Sequence, residues 1–353
     1  MAHQGIRVRK KGTVSSLSSS SDTISLTTTA LPATTAAVAS TNLLEATLAS
    51  STVIKYNKAT TLFIQWLSRH NYSPTTYQQL DSLLSIYLNE MYSLGTGKAA
   101  ANSTVFGLNI IQPGISDHLP TSKKILKGYN KLKPSTRHPP LTWPITCVIA
   151  LDMIQRGEFT AGVITLLAFD SYLRINEVLG LYHEDVALGS DVRIGAGRPD
   201  RMYLRLRKTK TGPEQGVEVL NAEVKILVLM VQSRTRVGSK LFNYSDDQYR
   251  SLFRHVCDDL KLPRDYVPHS LRHGGATYGY LNDMSFTDIQ VRGRWASLKS
   301  CVNYVQTFRQ ALISRSFPPS ITLACDIINS KPLLTAIGEV LLSRERLIIA
   351  PVD

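Results

Sequence analysis

The sequence predicts a mainly α-helical protein of two domains, the second of which contains a small β-hairpin or sheet. Three observations predict this fold class. Apolar residues recur every three or four positions from about residue 43, three prolines fall within 134–140, and one later stretch alternates apolar and charged residues. A chain of 353 residues is long for one domain, which agrees with two domains and tails.

The composition indicates a polyanionic partner. Lys and Arg number 40 against 27 Asp and Glu, a net charge of +13, which points first to nucleic acid and second to an anionic membrane surface. No apolar run reaches the ~18–20 residues that cross a bilayer, and the N-terminus has no apolar secretory segment, so we expect no membrane partner. The four cysteines are far apart, so neither a zinc site nor a disulfide framework is expected, and no cofactor is predicted.

Residues 1–42 are predicted to form a disordered tail. Its basic run, Arg7 to Lys11, is interpreted either as a nuclear-targeting or DNA-contacting arm or as a solvated charge cluster. An organelle transit peptide is less favoured, because the basic residues are bunched rather than spread along a helix. Residues 13–40 then contain 15 Ser or Thr in 28 positions, too few apolar groups to offset the entropy of ordering.

Residues 43–133 are predicted to form a helical domain of four helices. The fourth, near 120–132, carries a series of lysines and makes one side basic, which taken alone is more often a solvated face than a DNA surface. The prolines of 134–140 disfavour helix and predict an extended interdomain linker.

The second domain is predicted over 141–315. Residues 202–207 alternate apolar and charged side chains, a Gly/Pro-containing turn follows, and 216–220 completes a β-hairpin in otherwise helical sequence. Residues 316–353 are predicted to be a C-terminal appendage with a helix near 332–346.

Two motifs in this domain contain residue types that suit a phosphate. Arg174 and Glu177 would share one side of a helix, a spacing that taken alone is more often that of a plain surface ion pair. His269 and Arg272 form a His-x-x-Arg pair. Arginine offers a planar fork of donors to two oxygens and histidine moves a proton near neutral pH, whereas the alternative is a buried histidine beside a surface arginine.

Two further motifs add a donor, a nucleophile and an acid. Tyr304 follows Trp295 by nine positions, and an indole N–H can donate to a phosphate oxygen. Taken alone, such a tryptophan is more often a core residue and such a tyrosine a core or surface residue. The hairpin tip carries Lys208 and Lys210. A lysine there can protonate a leaving alkoxide, contact a DNA backbone, or be solvated only.

The order of these residues resembles the tyrosine recombinase (phage integrase) family over 43–310, most specifically over 165–310. The family motif has an Arg in an R-x-x-E-type helix, a hairpin Lys, an H-x-x-R pair, a His or Trp, and a nucleophilic Tyr. The residues at those places are Arg174, Lys210, His269, Arg272, Trp295 and Tyr304. The blocks at 269–277 and 293–297 resemble most closely the eukaryotic mobile-element recombinases of the Crypton or DIRS kind.

The resemblance implies a helical DNA core-binding domain, a tyrosine-recombinase (integrase-like) catalytic domain and a metal-independent reaction. In that reaction Tyr304 attacks a DNA phosphate and forms a 3′-phosphotyrosyl bond. Arg174 and Arg272 would clamp the phosphate oxygens together with Trp295, whose indole N–H is a donor. His269 would assist proton transfer.

Two further roles follow from the same resemblance. Lys210 would protonate the leaving 5′-oxygen. It is preferred over Lys208 because Lys-Thr-Gly at 210–212 resembles the hairpin sequence of the family. Glu177 would orient the first arginine rather than take part in chemistry.

A DNA-facing surface is predicted around the hairpin, because 191–211 holds seven basic and two acidic residues. Arginines near Tyr304 add positive charge. The predicted DNA-binding residues are Lys208, Arg205, Arg207, Arg292 and Arg294. The expected partner is double-stranded DNA. The resemblance further implies a homo-tetramer on two DNA sites that exchanges a C-terminal segment, and the basic N-terminal run suggests the nucleus if the host is eukaryotic.

Three alternatives stay open. The first keeps the fold without the reaction, as a domesticated, catalytically silent DNA-binding protein. The second is a type IB topoisomerase, although the N-terminal helical domain and proline linker favour a recombinase. The third is a structural basic helical protein, which explains the charge but not the ordered motifs.

Overall fold

The computed structural model describes residues 48–134, 138–191, 200–209 and 212–349. The chain divides between Thr136 and Arg137 into two compact units. The predicted disordered tail, part of the predicted linker and Lys210 lie outside the described residues.

The first unit contains four helices and a short 3₁₀ turn around one apolar core. The helices are α1 (Ser50–Arg69), α2 (Tyr77–Ser93), α3 (Lys98–Ile111) and α4 (Pro120–Leu132), with the 3₁₀ turn at Ile115–His118. Helix α1 packs on α3, and α2 packs on α4. Phe63, Leu80 and Leu108 are fully buried, as expected for helices that each turn one apolar side inward.

A buried carboxylate holds the start of α4 against α2. The two oxygens of Asp81 accept the backbone N–H groups of Thr121, at 2.9 Å, and of Ser122, at 2.8 Å. The first N–H groups of a helix have no partner within it, and they carry the positive end of the helix dipole. Asp81 therefore stabilises the helix that carries the exposed lysines of this unit, which include Lys123, Lys124, Lys127 and Lys131.

The second unit is built around two antiparallel helices, α5 (Trp143–Gln155) and α6 (Phe159–Asp170), which are almost wholly apolar. A helix that is apolar on every side belongs in an interior, and nine of the twelve residues of α6 are buried. The helices between the hairpin and the C-terminal segment are α8 (Ala222–Ser233), α9 (Asp246–Asp259), α10 (His269–Leu281), α11 (Phe286–Gly293), α12 (Leu298–Val302) and α13 (Thr307–Ser314). The one-turn helix α7 (Ile175–Val178) precedes them.

The sheet has three antiparallel strands, β1 (Val186–Leu188), β2 (Met202–Thr209) and β3 (Gly212–Val219), in that order. The register of the sheet is defined at Leu204, which pairs with Val186 of β1 on one side and with Val217 of β3 on the other. Alternate residues of β2 are buried, as its sequence alternation predicts. The predicted hairpin is present, but its strands extend further toward the tip than expected. Strand β1 has too few residues to show an alternation.

The C-terminal segment folds onto the second unit. It forms α14 (Pro319–Asn329) and α15 (Leu333–Ile349), both packed on α5. Ile321, Ile328 and Ile337 belong to the same apolar core as α5 and α6. Glu223 on α8 accepts the backbone N–H of Leu334 at 2.9 Å and so caps the start of α15. The segment predicted as a C-terminal appendage thus shares the apolar core of the second unit.

Helix α10 approaches its neighbours so closely that two adjacent positions accept only glycine. A Cβ at Gly274 would overlap the backbone carbonyl of Leu141, and a Cβ at Gly275 would overlap that of Phe169 and the ring of Tyr172. Contact between helix and neighbouring protein backbone therefore accounts for a glycine pair that is costly in a helix by itself.

We predict that Gly275→Ala destabilises the second unit, although alanine is normally the better helix former by about 0.5–1 kcal/mol. Overlap with Phe169 forces backbone movement, for which overpacked cores typically lose about 1–3 kcal/mol. Gly128→Ala on α4 is the control, because a Cβ there meets nothing within 4 Å. Urea unfolding should show a lower midpoint for Gly275→Ala and an unchanged or higher one for Gly128→Ala. Equal stabilisation by both would contradict the close approach.

Candidate active site

Arg174 lies at the start of α7 and not within a helix. Its backbone is extended, with φ −75° and ψ 146°, so it occupies the N-cap position. The carboxylate of Glu177 accepts the Arg174 backbone N–H at 2.9 Å and the Arg174 Nη1 group at 2.6 Å. The predicted contact between the two residues exists, but it joins the N-cap residue to the first turn of the helix and not two residues within the helix. One carboxylate thus fixes both the backbone and the side chain of the first motif arginine.

Glu177 also joins two other arginines to Arg174. Arg294 Nη2 donates to Glu177 Oε2 at 2.8 Å, and Arg272 Nη1 lies 4.0 Å from the same oxygen. Burial acts to raise the pKa of the Glu177 carboxyl, but the charges of Arg294 and Arg174 and the Arg174 N–H outweigh it and lower the pKa. Three guanidinium groups around one carboxylate leave the cluster positively charged.

Arg272 is fully buried on α10. Its terminal nitrogens donate to the backbone carbonyls of Tyr172 and Gly293. Its Cζ lies 4.6 Å from the centre of the Trp295 ring and 5.5 Å from that of Tyr304. Burial, followed by the charges of Arg174 and Arg294, lowers the pKa of Arg272 to about 10, so the side chain still carries its charge near neutral pH.

Three buried N–H groups of this cluster have no hydrogen-bond acceptor among the described residues. They are Nε of Arg272, Nε of Arg294 and Nε1 of Trp295. A buried donor without an acceptor costs about 1–3 kcal/mol, and such groups are rare in folded proteins. Donors of this kind beside excess positive charge are suited to the oxygens of an anion such as a phosphate diester.

Three rings surround the half-buried side chain of Tyr304. The ring of His273 stacks on it at 4.4 Å and 20°, Trp295 lies at 4.5 Å, and His269 approaches edge-on at 5.6 Å. Burial, and then the charge of Arg272, lowers the pKa of His269 to about 4. His269 is therefore neutral near pH 7.

Arg292 and Arg294, predicted to face DNA, point into the protein. The guanidinium of Arg292 donates to the backbone carbonyl of Asp170 and lies 3.3 Å from Asp170 Oδ2. The side chains of Arg292 and Arg294 are 9% and 7% exposed. In this arrangement their charges balance the buried carboxylates of Asp170 and Glu177.

The hairpin residues lie on an exposed face. Arg205 pairs with Glu214 at 2.7 Å, and Arg207 donates to the buried Asp185 at 2.8 Å with its guanidinium over the ring of Tyr182. Lys208 is exposed near the end of β2. Because Lys210 is outside the described residues, its position relative to Tyr304 remains a prediction.

The structure thus brings together five of the six motif residues and Glu177. It also adds residues that the motif did not single out. His273 lies one helical turn after His269, a spacing that puts both on one side of α10 and was open to sequence reasoning. Gln306, which contacts His273, carried no such signal.

No known protein-family model matches the chain, and no curated protein sequence matches it. Solved structures do. The integrase of the Tn1549 transposon, in complex with transposon right end DNA, is 18% identical with a TM-score of 0.55, covering 76% of this chain and 93% of its own. The lambda integrase dimer bound to a core site is 15% identical with a TM-score of 0.52, covering 75% and 74%.

A third structure is the XerH site-specific recombinase in a post-cleavage complex with a palindromic difH substrate. It is 16% identical with a TM-score of 0.51, covering 74% of this chain and 78% of its own. All three are tyrosine recombinases or integrases. The chain has the tyrosine recombinase fold. The predicted fold class, mainly helical with a small antiparallel sheet, is confirmed.

Within the ranges that the structure describes, no helix has the length and hydropathy needed to cross a membrane.

We predict that Glu177→Gln destabilises the recombinase fold by about 3–5 kcal/mol at pH 7, because removing one partner of a buried ion pair leaves the others uncompensated. The folded pKa of Glu177 is lowered, so its contribution is present above the ordinary value of 4.5 and is lost as pH falls through the folded pKa.

Urea unfolding of wild type and variant at several pH values measures this difference, which should shrink below pH 4.5. The exposed Glu214→Gln, which removes a surface pair, is the control and should change stability little at any pH. A Glu177→Gln variant as stable as wild type at pH 7 would refute the central role of this carboxylate.

Proposed function

We propose that this protein is a site-specific DNA recombinase that cleaves and rejoins DNA through a 3′-phosphotyrosyl intermediate at Tyr304. The observation that carries the proposal is the convergence of Tyr304 with buried N–H donors of Arg272, Arg294 and Trp295 that have no acceptor among the described residues. A nucleophile beside an anion site is what phosphodiester transfer needs.

The reaction can be written with these side chains. The Tyr304 oxygen attacks phosphorus and loses its proton, for which His269, whose ring lies edge-on to that of Tyr304, is the proposed acceptor. The bond from phosphorus to the 5′-oxygen breaks, and that oxygen takes a proton for which Lys210 is the proposed donor. Arg272, Arg174 and Trp295 hold the non-bridging oxygens as charge develops. The new ester conserves the bond energy, so the 5′-hydroxyl can reverse the attack without ATP.

The finer features of the proposal follow from the resemblance. We place the protein with mobile-element recombinases of the Crypton or DIRS kind, acting in integration or excision. It would work as a homo-tetramer on two double-stranded DNA sites and in the nucleus of a eukaryotic host. The exposed lysines of α4, together with Arg205, Arg207 and Lys208, are proposed to contact DNA backbone.

The first test is covalent capture on nicked suicide duplexes, drawn from a randomised pool and from the DNA that flanks the gene. We expect wild-type protein to form an adduct stable to denaturing electrophoresis, and Tyr304→Phe to form none because it lacks the attacking oxygen. Tyr280→Phe, an exposed tyrosine in the same unit, is the control and should behave as wild type. An adduct that persists in Tyr304→Phe would falsify the assignment of the nucleophile. Binding without any adduct would favour the silent DNA-binding protein.

A second prediction separates binding from chemistry. Arg174→Ala should lower the rate of adduct formation at least about 100-fold, as loss of a charge-stabilising donor typically does, while most DNA affinity remains. The measurements are single-turnover cleavage and a binding titration on the captured duplex. Arg234→Ala, exposed at the end of α8, should change neither. Parallel loss of folding and binding in Arg174→Ala would instead assign this arginine a structural role.

A further inference from the structure

We infer that His273 and Gln306, neither of which belongs to the recombinase motif, act as positioning residues that hold the Tyr304 ring for attack. This inference rests on the proposed function. It is carried by the stacking of His273 on Tyr304 and by the hydrogen bonds that fix His273 and the backbone around Tyr304.

The hydrogen bonds of Gln306 define which end of its amide faces His273. Gln306 Nε2 lies 2.8 Å from His273 Nδ1 and 3.3 Å from the backbone carbonyl of His138. Because a carbonyl oxygen only accepts, this end of the amide must be the NH₂ group. The other end, Oε1, accepts from Arg309 Nη1 at 3.5 Å, which agrees with the same orientation.

The orientation of Gln306 in turn fixes the tautomer of His273. Since Gln306 donates, His273 Nδ1 must be the acceptor, so the ring is neutral with its proton on Nε2. Burial, and then the neighbouring His269, lowers the pKa of His273 to about 3, in agreement with a neutral ring. A neutral imidazole can lie flat on a phenol without adding another charge to the cluster.

The backbone beside Tyr304 is tied to the same helix. Thr277 Oγ1 accepts the backbone N–H of Gln306 at 3.1 Å and lies 3.2 Å from the backbone carbonyl of Tyr304. Thr277 and His273 are one turn apart on α10, the helix that also carries Arg272. The nucleophile is therefore fixed, through ring and backbone, to the element that supplies the buried arginine.

This arrangement predicts an effect on the rate of chemistry and not on DNA affinity. Attack requires the tyrosine oxygen to lie in line with the breaking bond, and a misplacement of about 1 Å can cost on the order of 100-fold in rate. Neither His273 nor Gln306 needs to touch the phosphate for this effect.

The test compares Gln306→Met, which removes the donor at similar length, with His273→Phe, which keeps a stacking ring but loses Nδ1, and with the double variant. Each single variant should slow single-turnover adduct formation about 10- to 100-fold. The dissociation constant for the same duplex and the thermal midpoint should stay near those of wild type. The double variant should be no slower than the slower single variant, because the two residues act through one contact.

Gln155→Met and His255→Phe, both at exposed positions, are the matched controls and should react at the wild-type rate. Wild-type rates in Gln306→Met and His273→Phe would overturn the inference, as would independent, multiplicative losses in the double variant. Loss of stability and DNA affinity in step with the rate would show a structural role only.

A second measurement needs no DNA. In ¹⁵N-histidine NMR spectra at pH 7, we expect His273 to be neutral with Nδ1 unprotonated, and its Nδ1 signal to shift in Gln306→Met. A charged His273, or one protonated on Nδ1, would contradict the inference whether or not the protein cleaves DNA. A wild-type protein that forms no adduct but shows the expected His273 spectrum would defeat the proposed function alone.

Discussion

The candidate active site depends on one buried carboxylate. Glu177 binds the backbone and side chain of Arg174, holds Arg294 and lies near Arg272, three groups that would repel one another without it. Its own burial is unfavourable, and the surrounding guanidinium groups together with the Arg174 backbone N–H keep it charged. The cluster is thereby assembled within the fold, with positive charge in excess and with N–H donors that have no acceptor in the described part of the chain. Pre-assembly of this kind is what makes an anion site effective in catalysis.

Helix α10 supplies the second constraint. It carries His269, Arg272, His273 and Thr277, and its paired glycines let it lie directly on the backbones of Leu141 and Phe169. That close contact brings the Arg272 side chain within reach of the carbonyls of Tyr172 and Gly293. A helix held further from the core would not direct these side chains to the same point. The packing of the second unit and the candidate active site therefore depend on the same segment.

Much of the fold and of the candidate active site could be predicted from the sequence. The order of motif residues indicates the fold, and hydrophobic periodicity locates the helices of the first unit. The inward direction of Arg292 and Arg294 could not be predicted, because a basic residue near a site has the same local pattern whether it meets DNA or a buried carboxylate 117 or 122 residues away in the chain. Strand β1 and helix α14 depend on packing against distant segments. The contact between Gln306 and His273 could not be predicted either, because the two residues are 33 positions apart and meet only in the folded chain.

The central claim is that Tyr304 is the nucleophile and that the arginine cluster holds the phosphate that it attacks. Digestion of the covalent protein–DNA adduct with nuclease and trypsin, followed by mass spectrometry, tests it most directly. Cleavage after Lys299 and Arg309 yields a peptide, residues 300–309, whose single tyrosine is Tyr304. The account predicts that this peptide carries the remaining nucleotide, on the tyrosine. A nucleotide on any other peptide, or on another side chain of this one, would contradict it.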